Sequence, residues 1–284
     1  MKLMLKYIKN FYIIYYSYKE CRKYWFNNIF SIISTIIFIS ISYFMWSAVY
    51  STNSSYFTTN LSSMITYVVI ITIINFLVSC NIESDLGNRV ISGNISIDLI
   101  RPINFFSYLL YKKIGNIVFN IIFSILPLVI IAIFVFKINT NIEVETLFYF
   151  IISIIITFFL VYIFEFIVGL ASFFTNQIFG VSLLKSALVN ILAGITIPLS
   201  YYPESLKYIL FNLPFQAMYY IPVGIYTNFY DIKYSFIQLI LNKIGLNNTI
   251  INLIIEQIIW LIIISILGFM CWSKAKKRLV IQGG

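Results

Sequence analysis

Few side chains in this chain can do chemistry, and they fall into three groups. Two carboxylates lie inside long apolar runs, Glu165 in "YIFEFIVG" and Glu256 in "LIIEQIIW". A charge at a bilayer centre costs at least about 2.5 kcal/mol, so an acid there faces a cavity, a partner or a counter-charge. Two readings stay open: a proton or cation path using both acids, or paired or protonated acids that hold helices together. Lys185 can pair with Glu165 if both sit near the same end of their helices. The third group is a polar connection, in which Glu83, Asp85, Arg89, Asp98, Arg101, Lys112 and Lys113 place both signs of charge on about thirty residues, more than a helical turn needs. Inside it, "SIDLI" has helix-start character, with Ser96 able to cap, Asp98 in the positive first turn and Pro102 as the stop. A short helix with Leu99 and Ile100 beside charged groups suits docking in a groove on another protein.

The exclusions are as informative. No histidine occurs anywhere, which removes Ser–His hydrolysis, HExxH metalloproteolysis and His-ligated haem or zinc together. No GxxxxGKS/T loop occurs, so nucleotide chemistry would belong to a partner. Cys21, Cys80 and Cys271 have no metal-like spacing and no even count for a disulfide framework.

The elements that must position these groups are membrane helices. Of 284 residues, 61% are hydrophobic and 10% charged, far from a soluble mixture. Six windows are long and apolar enough to span, roughly 29–50, 61–82, 114–136, 146–172, 178–200 and 250–272. None alternates as a membrane barrel strand would. The expected fold is all-α and polytopic, a single transmembrane domain over 1–284.

The net charge of +9 does not point to nucleic acid, because the basic residues are spread among the connections. Residues 1–26 carry six, 83–113 four, the tail from Ser273 four, and 51–60 none. Since Lys and Arg concentrate on the cytoplasmic side, both termini and 83–113 are expected there, with 51–60 outside. Residues 1–26 read as an interfacial helix with Lys2, Lys6, Lys9, Glu20 and Lys23 in one sector, or else as the entry to the first span. Pro127 should kink the third span, and Gly169, Gly180 and Gly194 suit close helix approach. Residues 197–248 read as an outer-face segment, in which Pro198, Pro203, Pro214 and Pro222 cut a helical pattern into short re-entrant or surface pieces.

"SGNISIDLIRP" (92–102) resembles the glycine, small or polar residue, then leucine-arginine-proline signature of permease subunits of type-two ATP-binding-cassette exporters, the branch encoded beside a sister permease and an ATPase. "IPLSYYP" (197–203), "LPFQAMYYIPVGIY" (213–226) and the closing "QGG" (282–284) are similar to that branch's later pattern, so the likeness covers most of the chain. The resemblance implies a second permease subunit and a separate ATPase that carries ATP and Mg. It also implies that Glu83, Asp85, Arg89, Asp98, Leu99, Arg101 and Pro102 form the coupling element, and that the four prolines near the outer face shape an outer gate. The implied cargo is amphiphilic, such as an antimicrobial peptide, a drug or a lipid-like molecule. The bias towards Ile, Asn, Lys and Tyr suits an AT-rich bacterial gene, and so the bacterial inner membrane. The alternative is an ion- or proton-coupled secondary carrier using Glu165 and Glu256, which should show broken helices in both halves, whereas only the second half has the breaks.

Overall fold

Every regular element among the described residues is helical, as it must be where lipid offers backbone groups no partner outside the segment. The computed structural model describes residues 2–53, 60–79, 81–101, 103–138, 142–175, 177–229, 232–246 and 248–277. Pro102, Cys80, most of the 51–60 connection and the closing 282–284 lie outside them.

The first half of the chain forms α1 (Lys2–Lys23), α2 (Trp25–Asn53), α3 (Leu61–Val78), α4 (Ile82–Ile91), α5 (Ile95–Ile100), α6 (Phe105–Asn120) and α7 (Leu126–Phe134). The second half forms α8 (Val144–Gly169), α9 (Phe179–Leu192), α10 (Glu204–Leu210), α11 (Pro214–Met218), α12 (Tyr220–Thr227), α13 (Phe236–Lys243) and α14 (Thr249–Lys276). Five stretches are long and apolar enough to cross a membrane: α2, α3 running on to α4, α6 with α7, α8 and α14.

The sixth expected span is the 14-residue α9, about 21 Å long at 1.5 Å per residue and shorter than the roughly 30 Å hydrocarbon layer. It ends early because Gly194 takes φ +77, a left-handed cap that glycine adopts without strain. It nevertheless connects two levels of the bundle. Lys185 reaches acids on α4 and α8, while the Gly194 carbonyl accepts a 2.8 Å hydrogen bond from Tyr67 in the second turn of α3.

The core centres on α3, with eleven of its eighteen residues buried, against α8, α14 and the pair α11–α12. By contrast α2 leaves Phe30, Ile37, Ile41 and Phe44 exposed, as a lipid-facing helix does. Pro127 acts as expected but one turn early. With no N–H of its own to complete the ladder, it follows a π turn at Ile121–Ile125, and Ser124 in that turn exchanges hydrogen bonds with Asn28 of α2 at 2.7 and 3.1 Å. Of the glycines expected to allow close approach, Gly169 does so: a Cβ there would meet Leu86 at 2.8 Å, whereas Gly180 faces open space.

At the N-terminal end, α1 docks on α6. Asn10 donates to the Tyr111 hydroxyl at 3.0 Å and Ser17 to the Asn116 carbonyl oxygen at 2.6 Å, while Phe11, Tyr12 and Tyr16 stay exposed. In the segment before α14 the prolines begin helices instead of merely interrupting one. Pro203 precedes α10, Pro214 opens α11, Pro222 lies in the first turn of α12, and Pro198 precedes a 3-10 turn at Leu199–Tyr201. Of these pieces, α11 and α12 are buried in the core through Met218, Ile221, Val223 and Ile225, whereas α10 and α13 keep Tyr208, Ile209 and Phe236 on the surface.

Candidate functional site

The connection after α3 is a helical hairpin. Asn81 turns the chain in a left-handed conformation (φ 50) that Asn tolerates, and α4 then starts with Glu83 and Asp85 in its first turn and Arg89 in its last, each placed to suit the helix dipole. The helix α5 begins at Ile95, one residue before Ser96, so Ser96 is not the cap. Its hydroxyl donates instead to the Gly93 carbonyl at 2.7 Å. Arg101, in extended conformation (ψ 140), ends the helix as a residue before proline should.

An ion-pair ladder ties the hairpin together. Asp85 accepts from Arg89 at 3.3 Å and from Lys112 of α6 at 3.0 Å, and Asp98 accepts from Arg89 and forms an ion pair with Arg101 at 3.1 Å. Asp98 is buried and Arg101 half exposed. The Tyr108 ring lies 5.5 Å from the Arg89 guanidinium and 5.9 Å from that of Arg101, within cation–π range. Leu99 turns inward onto the cluster around Leu86 and Phe166, so it is Ile97 and Ile100, at 58% and 85% exposure, that project outward beside Arg101. The spacing of three residues places this pair on one face.

Behind the ladder is a second layer of charge. Glu83 of α4, Lys113 of α6 and Glu165 of α8 are buried, Lys185 of α9 is nearly so, and their formal charges cancel. Lys185 Nζ donates to Glu83 Oε1 at 2.6 Å and lies 3.7 Å from Glu165 Oε1, and Lys113 Nζ lies 3.6 Å from Glu165 Oε2. The Ile82 N–H donates to Glu165 Oε2 at 3.1 Å, and the Ser182 hydroxyl to Glu83 Oε1 at 2.9 Å. Satisfaction is incomplete. Neither Lys113 Nζ nor Glu83 Oε2 has a hydrogen-bond partner among the described residues, and Lys113 has only the Phe158 face at 5.6 Å beside its ion pair. Buried ion pairs add little net stability, but removing one member strands the other at a cost of about 3–5 kcal/mol. The quartet therefore binds four helices into one arrangement by penalising every other.

Glu256 belongs to a different site. It is buried on α14 and accepts from Gln216 of α11 and Ser235 through Oε1, at 2.6 and 2.7 Å, and from Gln238 of α13 through Oε2 at 2.6 Å. The adjacent Gln257 accepts from Ser153 of α8 at 2.8 Å and donates to the Ala217 carbonyl at 2.8 Å and the Thr157 hydroxyl at 3.2 Å. Neutral donors hold this carboxylate, and the polar pair fastens α11 and α13 to α14.

The structure thus brings Glu83 and Glu165 together, joins Asp85, Arg89, Asp98 and Arg101 into one ladder, and keeps Glu256 and the four prolines apart from both. The anticipated Lys185–Glu165 pairing is present. Three groups were not singled out from the sequence: Lys113 as a buried cation, and Gln216 and Gln257 as anchors. Only Gln257, a polar residue beside Glu256 in an apolar span, carried a signal that could have found it. Among the described residues no three metal-ligating side chains cluster.

Neither a curated protein nor a solved structure matches the chain. A family model described as ABC-2 family transporter protein matches residues 36–283, from within the first half of α2 to the penultimate residue. With five helices able to cross a membrane and a family match over most of its length, the chain belongs to the ABC-2 transporter family and is a multi-pass permease subunit of an ABC transporter.

Proposed function

We propose that this permease subunit works in an ATP-driven exporter of the bacterial inner membrane, with both termini cytoplasmic, and that the α4–α5 hairpin is the element gripped by a separate ATPase carrying ATP and Mg. The observation that carries this reading is the division of labour along the hairpin. Its outward face offers Ile97, Ile100 and Arg101, while its inward face ties Glu83 to Lys185 of α9 and packs on α8. A push on the outward face therefore reaches the membrane helices through contacts too costly to break. Arg101 keeps directed donors for acidic or carbonyl groups of a partner. A second permease subunit completes the cargo path, the proline-started pieces before α14 form its outer gate, and the cargo is amphiphilic. An ion-coupled carrier would need Glu165 and Glu256 on one path. Lysines neutralise the first and neutral donors cap the second, eight residues and about 12 Å further along the bundle by the level of Thr157 on α8.

The test is the triple variant Ile97→Ser, Ile100→Ser, Arg101→Ala, purified with its ATPase. Ile97 and Ile100 are exposed and Arg101 is half exposed, with Asp98 keeping Arg89 when it is removed, so folding and insertion should be normal. Docking should weaken by about 2–5 kcal/mol if the contacts are buried in the complex, with loss of co-purification and of cargo-stimulated ATP hydrolysis. Unchanged co-purification and hydrolysis would show that the hairpin is not the coupling element.

A further inference from the structure

Between α2, α3 and the end of α9 lies a cleft of about 530 Å³, in the size range of small-molecule sites. Its walls are polar where lipid-facing helices should be apolar. Ser31 and Thr35 of α2, Asn75 of α3, Asn120 at the end of α6, and Asn190 and Thr196 at the end of α9 all face it, and no lining side chain carries a charge. Several hydroxyls in it are satisfied within their own helices: Ser34 and Thr35 donate to the Ser31 carbonyl, and Thr72 donates to that of Val68. Of its four carboxamides, that of Asn28 exchanges hydrogen bonds with Ser124. Those of Asn75, Asn120 and Asn190 have no hydrogen-bond partner among the described residues, although each can offer two donors and an acceptor. Unpaired amides are costly in hydrocarbon, so whatever fills this cleft hydrogen-bonds.

At its inner end the cleft shares Asn75, Ser79, Asn190 and Ile195 with a second cavity of about 160 Å³, which reaches Glu165 and Lys185. Those two charges are already committed to each other and to Lys113 and Glu83. Neither sign is left over to favour a charged ligand.

We propose that this cleft binds the uncharged, hydroxyl- or amide-rich head of the cargo, with the three free carboxamides as its recognition groups. The assignment deepens the exporter reading and rests on it for the word cargo. Occupancy would press on α3 and α9 beside Lys185, the residue that grips α4, and so places the ligand next to the coupling path.

The test uses the full chain in phosphatidylcholine nanodiscs and four probes that share one fluorescently labelled acyl chain. Their heads are a disaccharide, a blocked Ser-Asn-Ser tripeptide amide, a phosphate and a quaternary ammonium. At least one neutral head should bind about tenfold more tightly than either charged head, and the better of the two tells a glycoside source from a peptide source. Asn190 is exposed, so Asn190→Leu does not burden the fold. That variant, and Asn75→Leu with Asn190→Leu, should weaken only the neutral-head probes, the double variant by about tenfold. A tighter charged head, no binding by either neutral head because a second subunit or water fills the cleft, or unchanged affinity in Asn190→Leu would overturn the assignment. Binding is read without ATP hydrolysis, so these outcomes leave the ATPase-coupling reading standing, and failure of that reading leaves this result intact.

Discussion

The two ends of the bundle each bury a carboxylate, and they do so by opposite means. At the hairpin end, Glu83 and Glu165 are balanced by Lys113 and Lys185, with two contacts at 3.6–3.7 Å and two polar atoms left without hydrogen bonds. At the other end, Glu256 is held by three neutral donors at 2.6–2.7 Å. The first arrangement is strained by composition: it is good only while all four charges are in register, which suits an element that must transmit displacement. The second is a local clamp that tolerates motion elsewhere. The difference shows that a buried acid in an apolar span is not one kind of object, and that its partners decide whether it couples elements or fastens one.

The comparison can be broken most severely at Lys113. Lys113→Met should destabilise the folded subunit by about 3–5 kcal/mol, because Glu165 then has only the longer contact to Lys185 as a counter-charge, beside the Ile82 N–H. Adding Glu165→Gln leaves Glu83 and Lys185 as a complete pair and should recover much of that loss. Thermal melting in detergent reads both, and equal melting of the single and double variants would mean that the quartet is not energetically coupled. Glu256→Gln should cost less, about 1–2 kcal/mol, since size and part of the hydrogen bonding are kept while one donor faces another. A loss as large as that of Lys113→Met would erase the distinction between coupler and clamp.

Smaller still is the effect of Arg101→Ala on stability, at most about 1 kcal/mol, because Asp98 retains Arg89 and the Arg101 side chain is half exposed. Asp98→Ala, which strips the buried partner of both arginines, should be clearly worse, and the order of the two melting temperatures checks it. The last test carries no stability change. In a background without native cysteines, Asn94→Cys on the hairpin and Ile244→Cys after α13 should label oppositely with an impermeant thiol reagent added outside, Ile244 strongly and Asn94 not. Strong labelling at Asn94 alone would invert the two ends.

Much of this was legible before any coordinates. Continuous apolar runs can only be helices in lipid, so the all-α architecture and five of the six expected long helices followed from composition and length, while α9 fell short of the sixth. The polar connection at 83–113 announced itself by its mixed charges. What was not legible was direction. Asp98 and Arg101 look equally available in the sequence, yet one is buried and the other half exposed. Leu99 and Ile100 look interchangeable, yet Leu99 packs inward and Ile100 is 85% exposed. Each residue along a helix is rotated by about 100° from the one before it, and only the packing of α5 on α4 sets the phase.

By itself the sequence determined the class of the protein, the absence of any nucleotide loop or histidine chemistry, and the places where charge interrupts hydrocarbon, because each of these is a property of residue type and run length. Tertiary structure alone decided which charges meet. Lys113 stands next to Lys112 in the chain, but one is sealed against Glu165 of α8 and the other reaches Asp85 of α4. Glu83 is 102 residues from the lysine it binds, and Glu256 is 40 from Gln216. Pairings over such separations depend on how α9 and the buried helices α11 and α12 fold back into the bundle. In a low-dielectric interior it is that return, and not the local sequence, that sets the energy of every ionised group.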